Sequence, residues 1–302
     1  TASTFDCMKS MVSGSRLSKE KRITSSGEYE MSEIQHRLST ENSVSVGYGH
    51  RDLWNAEAER YSKAPTARFD DDGFLKILEA SGVLTDKSRV LDLGCGPGIY
   101  SVAIAECVRE VVGFDISEQM IERARSRAHE EHCTNCRFDV LDWSKADIDA
   151  LGMKGAFEVA VARLTPAVDS LNALEKLINC ATSRVFVENF INRRHRWMQL
   201  AFDIAGAGAP WNDECMFDAV GYLLKTGRRP YLHYREAQWG EAQRPWQQVA
   251  DFCLRRLALR TQLTEELSRE IRRTFEKQSK NGLLDARETL TLMTIEFAPK
   301  SA

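Results

Sequence analysis

The sequence predicts a doubly wound α/β fold, a parallel sheet covered by helices on both faces. Three observations carry the prediction. Between residues 88 and 190 strand-like apolar runs alternate with helical segments, the pattern of repeated βαβ units. Runs such as VLDL (90–93) and VAVA (159–162) are almost continuously apolar, as strands buried on both faces must be. A glycine-rich turn, Gly94-Cys95-Gly96-Pro97-Gly98, leaves the first of these strands and enters a helix.

The elements follow in order. Residues 1–45 are rich in Ser, Thr and mixed charge with little apolar periodicity, so they read as a flexible arm, and residues 46–302 as one folded domain. RDLWNAEAERY (51–61) places Trp54, Ala58 and Tyr61 on one helical face. DDDGFLKILEASG (70–82) is a second amphipathic helix, stopped by Gly82. SRVLDLG (88–94) is a strand, IYSVAIAECV (99–108) a helix and EVVGFDIS (110–117) a strand. Ser117 then caps a helix over 117–131. Strands follow at 135–143, 157–163 and 182–190. Beyond them lie helices near 196–206 and 214–226, within a helical insertion over 192–227. A strand-like stretch occupies 228–237, helices 245–259 and 264–280, and a β-rich segment, ETLTLMTIEF, 288–297.

Composition narrows the function. The 302 residues carry 41 Lys and Arg against 44 Asp and Glu, a net charge of −3. That gives no global basic excess for a dedicated nucleic-acid binder. No apolar run is long enough for a membrane span. Eight cysteines are scattered without a compact framework, which reads as reduced thiols of a cytoplasmic protein. Cys95, Cys107, Cys180 and Cys253 lie in apolar stretches and are expected in the core.

The chemistry centres on Asp92 and the turn after it. Glycines allow positive φ and close approach of a ligand to the main chain, and a helix N-terminus adds N–H groups and positive potential. A dinucleotide fingerprint needs G-x-G-x-x-G; here the spacing is G-x-G-x-G, with an acid two residues before the first glycine. That acid would repel a pyrophosphate and suits a ligand bearing an ammonium group, such as S-adenosylmethionine. Asp115 falls 21 residues after Gly94, at the tip of the next strand, where a carboxylate can accept both ribose hydroxyls of an adenosine. Asp142, ending the third strand, can accept from an adenine amino group, and Ile116, Met120 and Trp143 can sandwich the ring. Met120 and Ile116 can equally be core residues, and Asp142 a helix cap.

The combination VLDLGCGPGIYSVAIA…VVGFDISEQMIERAR…FDVLDW…FEVAVAR resembles the class I S-adenosylmethionine-dependent methyltransferases. Within them it is most like the small-molecule enzymes of the ubiquinone and menaquinone type. The likeness is strong over about residues 50–190. It implies a Rossmann-like seven-stranded sheet whose last strand, ETLTLMTIEF, is antiparallel, with the helical insertion between the fifth and sixth strands. It further implies that Asp92, Gly94, Cys95, Gly96 and Gly98 hold the methionine moiety, Asp115 the ribose and Asp142 the adenine. Tyr61 would touch the cofactor carboxylate, and Arg163, at the tip of the fourth strand, would stand beside the cofactor. Glu158 departs from the Asp usual in that strand.

Other signals carry less. His129, His132, Cys133 and Cys136 crowd eight residues, but zinc sites use separated pairs that converge, so no metal is expected. A serine hydrolase is excluded by the lack of a G-x-S-x-G elbow. Arg193, Arg194 and His195 follow the fifth strand and are candidates to grip an anionic substrate. His195 is the candidate general base, since an unperturbed histidine titrates near pH ~6.5. Trp54, Tyr48, Trp197, Trp211 and Tyr222 are candidate pocket aromatics. A small-molecule acceptor is expected, with an RNA or protein methyltransferase, or a non-catalytic cofactor-binding module, as the alternatives. Oligomeric state has no signal in the sequence.

Overall fold

The computed structural model describes residues 51–210 and 213–300; the predicted arm over 1–45, Tyr48 and Trp211 lie outside them. Helices α1 (Arg51–Ser62) and α2 (Gly73–Ala80) lead into β1 (Arg89–Leu93), α3 (Ile99–Ala105), β2 (Glu110–Asp115), α4 (Glu118–Glu130) and β3 (Cys136–Val140). After a stretch of turns come β4 (Phe157–Arg163), α5 (Leu171–Cys180) and β5 (Ala181–Arg194). Then follow α6 (Arg196–Ala205), α7 (Glu214–Lys225), β6 (Tyr231–Trp239), β7 (Arg244–Pro245), α8 (Trp246–Leu257), α9 (Glu265–Gln278), β8 (Leu283–Leu284) and β9 (Glu288–Phe297).

The main sheet has seven strands in the order β3-β2-β1-β4-β5-β9-β6. Strands β1 to β5 pair in parallel, and β9 runs antiparallel between β5 and β6, as the resemblance implied. The chain steps outward from β1 to β3 and then returns to the other side of β1 at β4. That reversal opens a crevice at the carboxyl ends of β1 and β4, where such folds place ligands.

Alternation along β1 sorts its side chains. Val90 joins Phe74, Leu75 and Leu78 of α2 and Ile104 of α3 in one core. Leu91 and Leu93 face the other side, with Leu174 and Leu177 of α5 and Met216 and Leu223 of α7. Asp92 therefore points toward α3. Side-chain caps begin α2 and α4: Asp72 accepts from Phe74 N at 2.8 Å, and Ser117 accepts from Met120 N at 3.1 Å as the sequence indicated. Each such cap contributes about 1 kcal/mol.

Two expectations are corrected. The third strand ends at Val140, so Asp142 and Trp143 lie in the turn beyond it. Cys107 is exposed, because α3 stops at Ala105 and leaves it on a turn. The two helices expected between the fifth and sixth strands are present, α6 and α7, and they pack in different places. Helix α6 packs away from the sheet, with Trp197, Met198 and Phe202 meeting Val249, Cys253 and Leu257 of α8 and Ile271 and Phe275 of α9. The α7 half of the insertion joins the main core instead. No helix among the described residues is long and apolar enough to cross a membrane.

Candidate cofactor site

The turn after β1 is fastened to β2. Gly94 N and Cys95 N both donate to Phe114 O, at 2.7 and 3.0 Å. Gly96 N donates to Asp115 Oδ2 at 3.0 Å, and Ser117 N to Asp115 Oδ1 at 2.9 Å. One carboxylate thus orders two loops, and each oxygen keeps a lone pair for a further donor. Gly94 has φ +72°, and a Cβ there would stand 2.0 Å from Thr165 Oγ1, so only glycine lets the turn after β4 pack against this loop. At Gly96, φ +52°, a Cβ would meet nothing within 4 Å; the main chain here borders open space.

Asp92 is 3% exposed and accepts a hydrogen bond from Ser101 Oγ at 2.5 Å. Burial pushes its carboxyl up to about 6, with Asp115 adding to the rise, while the Ser101 bond and the Arg163 charge oppose it. Burial raises Asp115 as well. Two neighbouring carboxylates, both penalised by desolvation, make a place where a positively charged ligand group is strongly favoured.

Helix α1 reaches the same edge. Asn55 Oδ1 accepts from Ser117 Oγ at 2.6 Å, and Arg51 pairs with Glu118 at 2.7 Å. Arg127, 9% exposed, donates to Pro97 O at 2.9 Å, Ala64 O at 2.7 Å, Ser62 O at 3.1 Å and Thr66 Oγ1 at 2.9 Å. It pins the end of α1, next to Tyr61, to the glycine turn. Tyr61 is 37% exposed, 6.1 Å from Trp54 between ring centres, with the Arg60 guanidinium 4.6 Å from its own ring centre.

At the end of β4, Arg163 pairs with Glu188, in the middle of β5, at 2.9 Å, and Arg235 of β6 pairs with the same carboxylate. Thr294 Oγ1 donates to it at 2.5 Å. The Arg163 guanidinium lies 3.9 Å from the centre of the Tyr100 ring, and Tyr100 donates to Asp72 at 2.7 Å. Leu164, next in the chain, has φ +50°, an uncommon conformation for a residue with a branched side chain.

The structure brings Asp92, Gly94, Cys95, Gly96, Gly98 and Asp115 together, with Ile116 half-buried at their edge. Other expectations fare differently. Met120 is 2% exposed in the first turn of α4. Trp143 is 3% exposed in the main core and donates to Ala173 O at 3.1 Å. Asp142 folds back on its own turn, accepting from Ser144 Oγ at 2.6 Å and pairing with Lys145 at 2.9 Å; those bonds hold its carboxyl below the usual range.

His195 is not the open base expected of it. It caps α6, its Nδ1 accepting from Met198 N at 3.1 Å. It is 6% exposed and stacks on Phe252 at 5.7 Å, and burial pushes its pKa down. Arg193 does not offer itself to an anion either, since Glu288 binds it through two bonds of 2.7 and 2.9 Å. Trp197 is core, and Tyr222 donates to Glu175.

Sequence reasoning missed Ser101, Asn55, Arg127 and Glu188. Ser101 had a signal, a lone hydroxyl on the sheet-facing side of an apolar helix. Arg127 had none, because three of its four partners are main-chain carbonyls.

A family model described as a methyltransferase domain matches residues 84–193. YqeM of Bacillus subtilis strain 168, which carries a provisional methyltransferase name, is 34% identical over 104 residues, 34% of this chain and 37% of YqeM. RlmD of Xylella fastidiosa strain Temecula1, a 23S rRNA (uracil(1939)-C(5))-methyltransferase, is 39% identical over 70 residues, 23% of this chain and 16% of RlmD. The chain thus spans well under two thirds of the length of these relatives. Among solved structures, YcgJ of Bacillus subtilis aligns with a TM-score of 0.50 at 14% identity, covering 75% of this chain and 98% of that one; this is a likeness of fold.

Proposed function

Residues 84–193 are a class I S-adenosylmethionine-dependent methyltransferase domain, and from that premise we propose that the chain methylates a small-molecule acceptor. The observation that carries the reading is the paired acid arrangement, Asp92 buried beside Ser101 and Asp115 tied to Gly96 N. The donor set fits the cofactor. Asp92 would meet its ammonium group, Asp115 its ribose hydroxyls, and the open main chain at Gly96 its methionine portion. Tyr61, Ile116 and Arg163 would border the same ligand, and Asp142 would reach the adenine by releasing Lys145. The cofactor supplies a methyl group activated by its sulfonium.

The chain's own contribution is alignment and exclusion of water. Helix α1 and the end of β4 flank the glycine turn, and we assign no general base among the described residues there. An acceptor whose nucleophile ionises readily, such as an acidic oxygen or a thiol, needs little help from a base. A small acceptor is favoured over RNA by charge. Arg163 and Arg235 are held by Glu188, and Arg193 by Glu288, so these arginines do not form a track for phosphates.

The test is calorimetric titration of the protein with S-adenosylhomocysteine, in parallel with NAD and with Asp115→Ala. Micromolar binding that is lost in the variant, with no response to NAD, supports the reading and leads to a methyl-transfer screen of small acceptors against RNA. No binding to the wild-type chain overturns it.

A further inference from the structure

The cysteines of the α4–β3 connection lie outside the site yet share its foundations. Cys133 Sγ and Cys136 Sγ are 3.1 Å apart, and both are half-buried. Both pack against a small core made by Cys95, Val102, Ile121, Ala124, Ala128 and Phe138. Cys95 is the residue between Gly94 and Gly96, so this core lies directly under the glycine turn. Cys136 Sγ also approaches Ser101 O at 3.6 Å, and Ser101 is the residue whose hydroxyl holds Asp92. Asn135, between the two cysteines, donates to Ala105 O at 2.9 Å and Val108 O at 3.0 Å, locking the connection to the end of α3.

Thiols at this separation need to close by only about 1 Å to reach a disulfide bond. The connection has room to adjust on its outer side, where His132, at φ +54°, and Thr134 are exposed. Its inner side rests on a packed core, which passes a shift of this size to its neighbours because interiors have few voids. We propose that Cys133 and Cys136 form a reversible thiol–disulfide site whose oxidation weakens cofactor binding at Asp92 and the glycine turn. The affinity half of this rests on the proposed cofactor reading; the bond itself does not.

The oxidant is a low-molecular-weight disulfide of the glutathione type. One protein thiol loses its proton and attacks a sulfur of that disulfide, forming a mixed disulfide and releasing one glutathione thiolate, which takes up a proton. The second protein thiol, deprotonated in turn, displaces the second glutathione, which is likewise protonated. One S–S bond and two S–H bonds break, and the same set forms. The protein pair loses two electrons and two protons, and glutathione disulfide gains them.

The test equilibrates the whole chain in glutathione buffers of rising oxidised fraction, blocks remaining thiols by alkylation, and reads two quantities. The first is the tryptic fragment 128–137, AHEEHCTNCR, which contains both cysteines and no other. It should shift to a form about 2 Da lighter than the dithiol and resistant to alkylation. The second is the dissociation constant for S-adenosylhomocysteine, which should rise about fivefold or more on oxidation and recover with a reducing phosphine. Cys133→Ser and, separately, Cys136→Ala should abolish the redox response while still binding; Cys107→Ser, altering an exposed thiol that is not one of the pair, should retain it. A fragment that stays in the dithiol form overturns the proposal, as does an oxidised protein that binds as tightly as the reduced one. If the reduced chain binds no S-adenosylhomocysteine, the cofactor reading and the coupling to it fall together, and the fragment mass still shows separately whether the bond forms.

Discussion

Ser101 donates its hydroxyl to Asp92 at 2.5 Å, and the two residues are 0% and 3% exposed. They come from consecutive elements, the helix after the glycine turn and the strand before it, so the bond fixes the acid relative to the helix N-terminus. With Ser101→Ala the burial penalty on Asp92 loses its main opposition and the carboxyl titrates higher. Hydrogen bonds to charged groups contribute about 1.5–3 kcal/mol, so affinity for S-adenosylhomocysteine at neutral pH should fall by about tenfold or more. Calorimetry reads this directly, and an unchanged dissociation constant would remove Asp92 from the binding reaction.

The same acid makes binding depend on pH. Its carboxyl is raised to about 6 in the protein alone, and a ligand ammonium favours the ionised form. Affinity should therefore be constant well above pH ~6 and fall by about tenfold per unit below it, until the lower pKa of the complex is passed. Stability moves the other way. A folded-state pKa above the unfolded value means the folded chain binds the proton more readily, so this group destabilises the apo protein at neutral pH. That cost disappears as pH falls from about 6 toward about 4. Parallel titrations of binding and of thermal unfolding between pH 5 and 8 should show opposite slopes from this group, and Asp92→Asn should flatten both.

Gly94→Ala tests the packing of the turn itself. The added methyl carbon would stand 2.0 Å from Thr165 Oγ1, on a backbone at φ +72°. Strain at such a position costs about 1–3 kcal/mol before the clash is counted, so the melting temperature should drop by several degrees. Thr165→Ala should not rescue it, because Thr165 Cβ, which that change retains, would itself be 2.4 Å away; Thr165→Gly should recover part of the loss.

The alternation of strands with helices and the glycine turn were legible because they rest on local rules. Val90 and Leu91 need partners on opposite faces, and Gly94, Gly96 and Gly98 need positive φ. Asp92 and Asp115 were legible through their places at two successive strand ends. The third strand end was harder to read: at Asp142 the carboxylate finds Ser144 and Lys145 within its own turn, a local competition that position near a strand tip does not reveal. Trp143 was assigned by nearness in sequence to Asp142, but a chain leaving a strand can turn alternate residues to opposite sides, and its ring went to the core. Glu188, which holds Arg163, Arg235 and Thr294 together, has partners up to 106 residues away along the chain, a juxtaposition that no single-sequence spacing encodes.

His195 offers the sharpest contrast between position and environment. It stands directly after β5, where a base would be convenient, but its Nδ1 is spent on Met198 N and its ring on Phe252. Asparagine caps helices as well as any residue, so His195→Asn should leave turnover within about twofold. His195→Ala removes the cap and part of the packing, and should lower stability by about 1–2 kcal/mol, with kcat still near wild type at a temperature where the variant is folded. A pH profile of kcat taken on both variants separates the two roles. A base would take with it an acid limb of the profile, whereas a cap changes the melting temperature and leaves that limb in place. Loss of turnover by about a hundredfold in His195→Asn, at an unchanged melting temperature, would return His195 to the chemistry.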